Sequence, residues 1–133
     1  MGINAANTAQ MKAYPELSNL VMTELTRTVG LIGFDDKWRF NVSFKKIKGD
    51  TLANCLTEWQ YKKATITFDL KKMAKHDALF NRASVRHELF HVILCKIFDL
   101  IEAFSPDQEE LVRKFEEELC TFFEYMPLWE RIK

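Results

Sequence analysis

Five consecutive residues carry the chemistry that this chain can be read for: His87-Glu88-Leu89-Phe90-His91, an H-E-x-x-H run. Histidines four apart on a helix stand one turn above each other and can close on one metal ion from the same side. Neutral imidazole nitrogens suit Zn²⁺, and the glutamate between them can reach a zinc-bound water as general base. The aliphatic and aromatic neighbours Ile93, Leu94, Ile97 and Phe98 extend the run into a helix-patterned apolar segment.

A catalytic zinc needs a third protein ligand, with its fourth position left for water. His76, the only other histidine, lies eleven residues ahead of the motif in a setting that suggests no ligand role. Acids on the C-terminal helix are better placed, because a helix packed beside the motif helix can aim a carboxylate at the ion. On a helical wheel Leu111, Val112, Phe115, Leu119, Phe122, Phe123 and Met126 form one apolar stripe. Glu116 and Glu118 fall on its two borders, where a ligand between packed helices belongs. Glu117 points almost directly away from the stripe and Glu110 nearly so, which reads as a solvated face. Cys95 and Cys120, among apolar neighbours, read as small core residues.

These groups need a scaffold. Leu17, Leu20, Val21 and Leu25 recur at helical spacing and predict a helix over 15–29, opened by Pro15. Residues 1–12 are small and polar and predict no element. Trp38, Phe40, Val42 and Phe44 alternate with polar residues, predicting a half-buried strand, and two further strands are expected over 53–59 and 64–70. The motif helix should run from Asp77 or Asn81 to about Phe98. The last helix should start at Pro106, capped by Ser105 with Gln108 completing a capping box, and stop at Pro127. The expected architecture is one α+β domain over 1–133: an N-terminal helix, a small three-stranded, mainly antiparallel sheet, the motif helix, and a following ligand-bearing helix.

Composition narrows the function classes. The chain has 133 residues, 47% hydrophobic with eleven Phe, enough for a core and against disorder. Nineteen basic residues balance nineteen acidic ones. No global field then favours nucleic acid, and neither nucleic acid nor membrane is an expected partner. Three widely spaced cysteines make a poor disulfide framework. With no export signal or long apolar run in the sequence, the expected location is the cytoplasm.

The order of helix, short sheet, H-E-x-x-H helix and glutamate-bearing helix resembles the minimal zincin metallopeptidases, on the gluzincin branch. It is most similar to the compact members found in bacteria, phages and mobile elements. The pattern covers about residues 64–126, and its specific words are His87, Glu88 and His91. In several of those proteins the third ligand opens a run of Glu, two or three residues, then an aromatic, which Glu118-Leu-Cys-Thr-Phe122 fits. The resemblance implies a Zn-dependent peptidase acting on a peptide or protein, with His87, His91 and Glu118 as ligands and Glu88 as general base. It also implies that a strand bordering the cleft, expected at 64–70, pairs with an extended substrate. Tyr125 and His76 are the candidates for an oxyanion helper. The competing class is a non-catalytic zinc-binding or partner-binding module built on the same fold.

Overall fold

The computed structural model describes residues 2–6, 8–104 and 106–125. The chain is α+β. Strand β1 (Gly2–Ala5) is followed by a short helix α1 (Ala9–Ala13) and by α2 (Pro15–Ile32), which ends at Gly33 in the left-handed region (φ 83°). Strands β2 (Arg39–Phe44), β3 (Ala53–Glu58) and β4 (Lys63–Phe68) come next, with a 3-10 turn (Trp59–Tyr61) between the last two. Helices α3 (Leu70–Met73), α4 (Ala78–Phe104) and α5 (Glu109–Glu124) complete the chain. Among the described residues no helix is long and apolar enough to cross a membrane.

The sheet departs from expectation in number and direction. It has four strands in the order β1-β2-β4-β3. Strand β1 pairs parallel with β2, β2 parallel with β4, and only β3 runs antiparallel to its neighbour. Residues 2–5, read as structureless, add the fourth strand. Their pairing places Ile3 beside Phe40, and Gly2 N–H donates to the Trp38 carbonyl at 3.1 Å. A partner strand, not local propensity, makes this segment extended. Strand β4 is enclosed between β2 and β3, so the expectation that 64–70 forms the edge is corrected: the edges are β1 and β3. The register of β3 against β4 runs from Ala53 opposite Phe68 to Glu58 opposite Lys63.

One face of the sheet carries the core. Phe40 and Phe44 of β2, with Ala64, Ile66 and Phe68 of β4, pack under Val21, Leu25 and Val29 of α2 and Val85, Leu89 and Val92 of α4. This geometry orients the motif. Val85, Leu89 and Val92 share one side of α4, Glu88 lies about a quarter-turn away, and His87 and His91 lie nearly opposite, at roughly 100° per residue. Because the aliphatic side is committed to the sheet, the histidines must face the layer above, where α5 lies.

The start of α5 differs from expectation. Residues 106–108 form a 3-10 turn, α5 begins at Glu109, and Gln108 makes no side-chain capping bond. Ser105, Met126 and Pro127 lie outside the described residues.

A buried carboxylate ties the other end of the sheet. Asp69 is 2% exposed. It caps α3 by accepting from Lys72 N–H, and it also accepts from the Ile47 amide at 2.9 Å and from Gln10 Nε2 at 3.0 Å. Gln10 in turn accepts from Leu70 N–H at 2.8 Å. Burial pushes the Asp69 carboxyl up, but these donors and the Lys72 ammonium outweigh it and hold the group below its usual value of 3.8. Asp69→Ala strips several buried donors of their acceptor and should destabilise the fold by about 2–4 kcal/mol in urea unfolding. A depressed folded pKa means the stabilisation is complete above the unfolded value and disappears as pH falls below 3.8. The difference between wild type and variant should therefore shrink on that acid limb; a constant difference would contradict an ionised hub.

Candidate metal centre

His87 and His91 turn their Nε2 atoms toward one carboxylate, that of Glu117. His87 Nε2 lies 2.6 Å from Glu117 Oε1, and His91 Nε2 lies 3.0 Å from Oε2. Each Nδ1 is held by a different acid. His87 Nδ1 is 2.6 Å from Glu124 Oε2, and His91 Nδ1 is 2.8 Å from Glu116 Oε2. Both rings are partly buried, with Glu116 buried and Glu117 exposed.

Among the described residues, His87, His91 and Glu117 are the one group of three or more such side chains whose ligand atoms converge closely enough to hold a metal ion, within 4.8 Å of one another. The donor chemistry fits one. Two imidazole nitrogens and a carboxylate oxygen converge, and each imidazole has its far nitrogen fixed by a carboxylate. That outer partner sets the ring's tautomer and orientation and raises the basicity of the ligating nitrogen.

The third member corrects the wheel. Glu118 is exposed and outside the converging group, whereas Glu117, read as a solvated residue, bridges both histidines. Glu116 lies at the site too, on the outer nitrogen of His91. The cause is the seating of α5. Its buried residues are Val112, Glu116 and Cys120, while Leu111, Phe115 and Phe122 of the apolar stripe are 62%, 53% and 69% exposed. The helix therefore meets α4 through a face rotated about a quarter-turn from the stripe centre. From the stripe, Phe123 at its margin stacks on Phe90 (4.8 Å) and Phe115 meets Phe98 edge-on (6.0 Å).

Polar bonds hold that seating. Arg86, immediately before the motif, is 2% exposed. Its Nε donates to the Glu124 carbonyl at 2.8 Å, and its Nη1 donates to Glu24 of α2 at 3.0 Å. At the other end Arg113 pairs with Glu102 at 2.6 Å and approaches Glu116 at 3.6 Å. Sequence reasoning did not single out Arg86, Glu116 as a histidine-orienting acid, or Glu124. The available signal was the seven-residue spacing of Glu117 and Glu124, which places two carboxylates on one helix face two turns apart.

Charge explains the protonation pattern. Burial alone would lower the histidine pKa values, but the bonds to Glu117 and Glu124 raise His87 to about 9. His91 is raised as well, by its bonds with Cys120, Glu116 and Glu117. Hydrogen bonding to the two imidazoles holds Glu117 well below the usual carboxylate range. Glu88 behaves oppositely: it is 8% exposed, and burial raises its pKa against the pull of His91 and His87.

The centre opens onto a groove between β3 and α5. On one side a cavity of about 590 Å³ is bounded by Ala53–Thr57 of β3, Glu88, His91, Cys95, Arg113 and Glu117. On the other, about 350 Å³ is bounded by Thr51, Ser84, His87, Glu88, Thr121 and Glu124. Glu88 and Glu117 border both. Cys95 is half-buried on the groove wall and so is not the core residue expected, whereas Cys120 is buried beside His91. Neither oxyanion candidate lines the groove. His76 stacks on Phe80 (4.1 Å) and borders a separate pocket, and Tyr125 is half-exposed at the end of α5. No family model, curated protein or solved structure matches this chain.

Metal titration of purified protein should give one divalent ion per chain. Glu117→Ala should abolish binding or weaken it at least about a hundredfold, and Glu118→Ala should leave it within a factor of two or so. Glu116→Gln and Glu124→Gln should each cost about 10–100-fold, the range for removing the outer partner of a ligating histidine. Calorimetry on the four variants checks this; retained affinity in Glu117→Ala would remove that residue from the ligand set.

Proposed function

We propose that this protein is a zinc-dependent peptidase that hydrolyses a peptide bond in an extended segment lying along β3. The observation that carries the reading is Glu88: a buried carboxylate of raised pKa, one residue from a metal-ligating histidine, on the floor of an open groove. A site serving only to stabilise the fold has no use for such a base and favours four protein ligands over three.

His87, His91 and Glu117 would hold the ion, with Glu124 and Glu116 fixing the two rings. The choice of zinc rests on the donor set: two imidazoles and one carboxylate with an open position. Zinc bound there would lower the pKa of a coordinated water to about 7 and polarise the scissile carbonyl. Glu88 accepts the proton of the attacking water at a carboxylate oxygen and returns it to the departing amine. A carboxylate suits both steps, because it accepts a proton from the activated water and, as a carboxylic acid, releases it to the more basic amine. Strand β3 offers an edge to a substrate backbone, so main-chain hydrogen bonds would align the scissile bond while groove walls select side chains. The resemblance to minimal zincins supports the same reading, now with Glu117 in the place expected of Glu118.

Glu88→Gln keeps shape and hydrogen-bonding capacity and removes the proton acceptor. It should retain the metal and the fold while losing hydrolysis of an unstructured peptide pool by at least ~10²-fold. Wild-type protein that binds zinc yet cleaves no peptide would favour the non-catalytic module instead. Loss of the metal in Glu88→Gln would make Glu88 a ligand and end the proposed mechanism.

A further inference from the structure

The balance of nineteen basic and nineteen acidic residues hides a segregation of charge. Residues 37–75 contain ten lysines and arginines against three acids, and residues 99–124 contain nine acids against two basic residues. Charge asymmetry within a neutral chain leaves a local field that the net charge does not report.

The fold concentrates part of this field. Strands β1, β2 and β4 are mutually parallel, so their carboxyl ends lie at one end of the sheet. Each delivers a lysine-bearing segment there. Helix α1 follows β1 and carries Lys12, the loop after β2 carries Lys45, Lys46 and Lys48, and α3 with the residue run behind it carries Lys71 and Lys75. All six are exposed. The ion pairs of the described lysines and arginines join Arg27, Lys62, Lys72, Arg86 and Arg113 to carboxylates, and include none of the six.

The three segments are held together by a built core. Asp69 accepts from Gln10 on the first, Ile47 on the second and Lys72 on the third. The Lys72 ammonium, turned inward, donates to the carbonyls of Ile47 and Thr51. Lys45 N–H donates to the Phe68 carbonyl at 3.1 Å. Fixed backbones carry the ammonium groups here, unlike a free basic tail, and the one buried acid is already committed to internal donors.

We propose that this end of the sheet is a binding surface for the phosphate backbone of double-stranded nucleic acid, without sequence preference. Lysine ammoniums act as point charges and suit phosphate oxygens. The segments 8–12, 45–50 and 69–75 contain no arginine for bidentate base recognition and no aromatic ring on which unpaired bases could stack, so neither base reading nor single-strand capture is provided for. Of their large apolar members Leu70 and Met73 are fully buried and Met11 and Ile47 partly buried, so no exposed large apolar side chain is offered to a bilayer. The inference is independent of the peptidase reading and is tested with chelator present and no hydrolysis measured.

A fluorescent 25-base-pair duplex of arbitrary sequence should bind the full chain at about 50 mM salt, weakening linearly in log-log form with salt. Lys45→Gln/Lys46→Gln/Lys48→Gln should weaken binding about tenfold or more and reduce the salt slope by about 2–3, near one for each phosphate no longer neutralised. Lys12→Gln/Lys71→Gln/Lys75→Gln, altering the other two segments, should do the same and stands in if the first variant fails to fold. A duplex not retained by wild type, or retained equally by both variants, would overturn the proposal. So would phosphatidylserine vesicles binding where duplex does not, or poly-glutamate competing as well as duplex at equal charge.

Discussion

The arrangement of this protein depends on one buried guanidinium. Arg86 reaches from α4 to the Glu24 carboxylate on α2 and to the Glu124 carbonyl at the end of α5. It thereby joins the helix layer on the sheet to the helix above it. A buried ion pair contributes little net stability against an apolar alternative, yet losing one partner leaves an uncompensated charge at a cost of about 3–5 kcal/mol. Its value here is positional. The bond fixes the rotation of α5 so that Glu117 and Glu124 face His87, a rotation that α5's own apolar stripe would not select.

That rotation has an electrostatic consequence. Glu88, Glu116, Glu117 and Glu124 gather around two imidazoles, four carboxylates that would repel one another in a half-buried setting. Without a metal the histidines answer by holding protons, which is why His87 rises to about 9 although burial opposes it. A divalent cation held by His87, His91 and Glu117 would supply the same compensation in a single atom. Protons and a metal ion would therefore be two solutions to one problem, and a metal bound there would displace protons from the imidazoles. Arg113, shared between Glu102 and Glu116, adds fixed positive charge at the margin.

What the sequence disclosed follows from which interactions are local. The H-E-x-x-H spacing, the aliphatic side of α4 and the alternation in β2 are properties of short windows, and each appears in the fold: Val85, Leu89 and Val92 face the sheet, and Phe40, Val42 and Phe44 are buried. The third member of the metal group was not legible, because a helical wheel gives the relative angles of residues and not the face a partner will take. Assigning the stripe centre to α4 put Glu117 outside, and the seating that brings it in rests on long-range bonds, Arg86 to the Glu124 carbonyl and Arg113 to Glu102. Strand β1 escaped for a similar reason, since Gly2–Ala5 is extended by pairing with Arg39–Val42, far away in sequence. Placing 64–70 at the edge failed because chain order does not report sheet order, and β4 inserts between β2 and β3.

The exchange of β3 for β4 at the edge matters for chemistry as well as topology. A parallel edge strand would present its free hydrogen-bonding groups in the evenly slanted pattern of β1, β2 and β4. Strand β3 is antiparallel to its neighbour and is joined to it by a tight 3-10 turn, so it stands at the sheet margin with its outer side toward the groove. The same topology gathers the carboxyl ends of the three parallel strands, with their lysines, at one end of the sheet. Thr51 is where the two regions meet: its carbonyl accepts from Lys72 of the basic end, and it borders the groove on both sides of Glu88. A chain of zero net charge thus carries an acidic cleft beside the antiparallel edge strand and a lysine-rich end where the parallel strands finish, the two adjoining at Thr51.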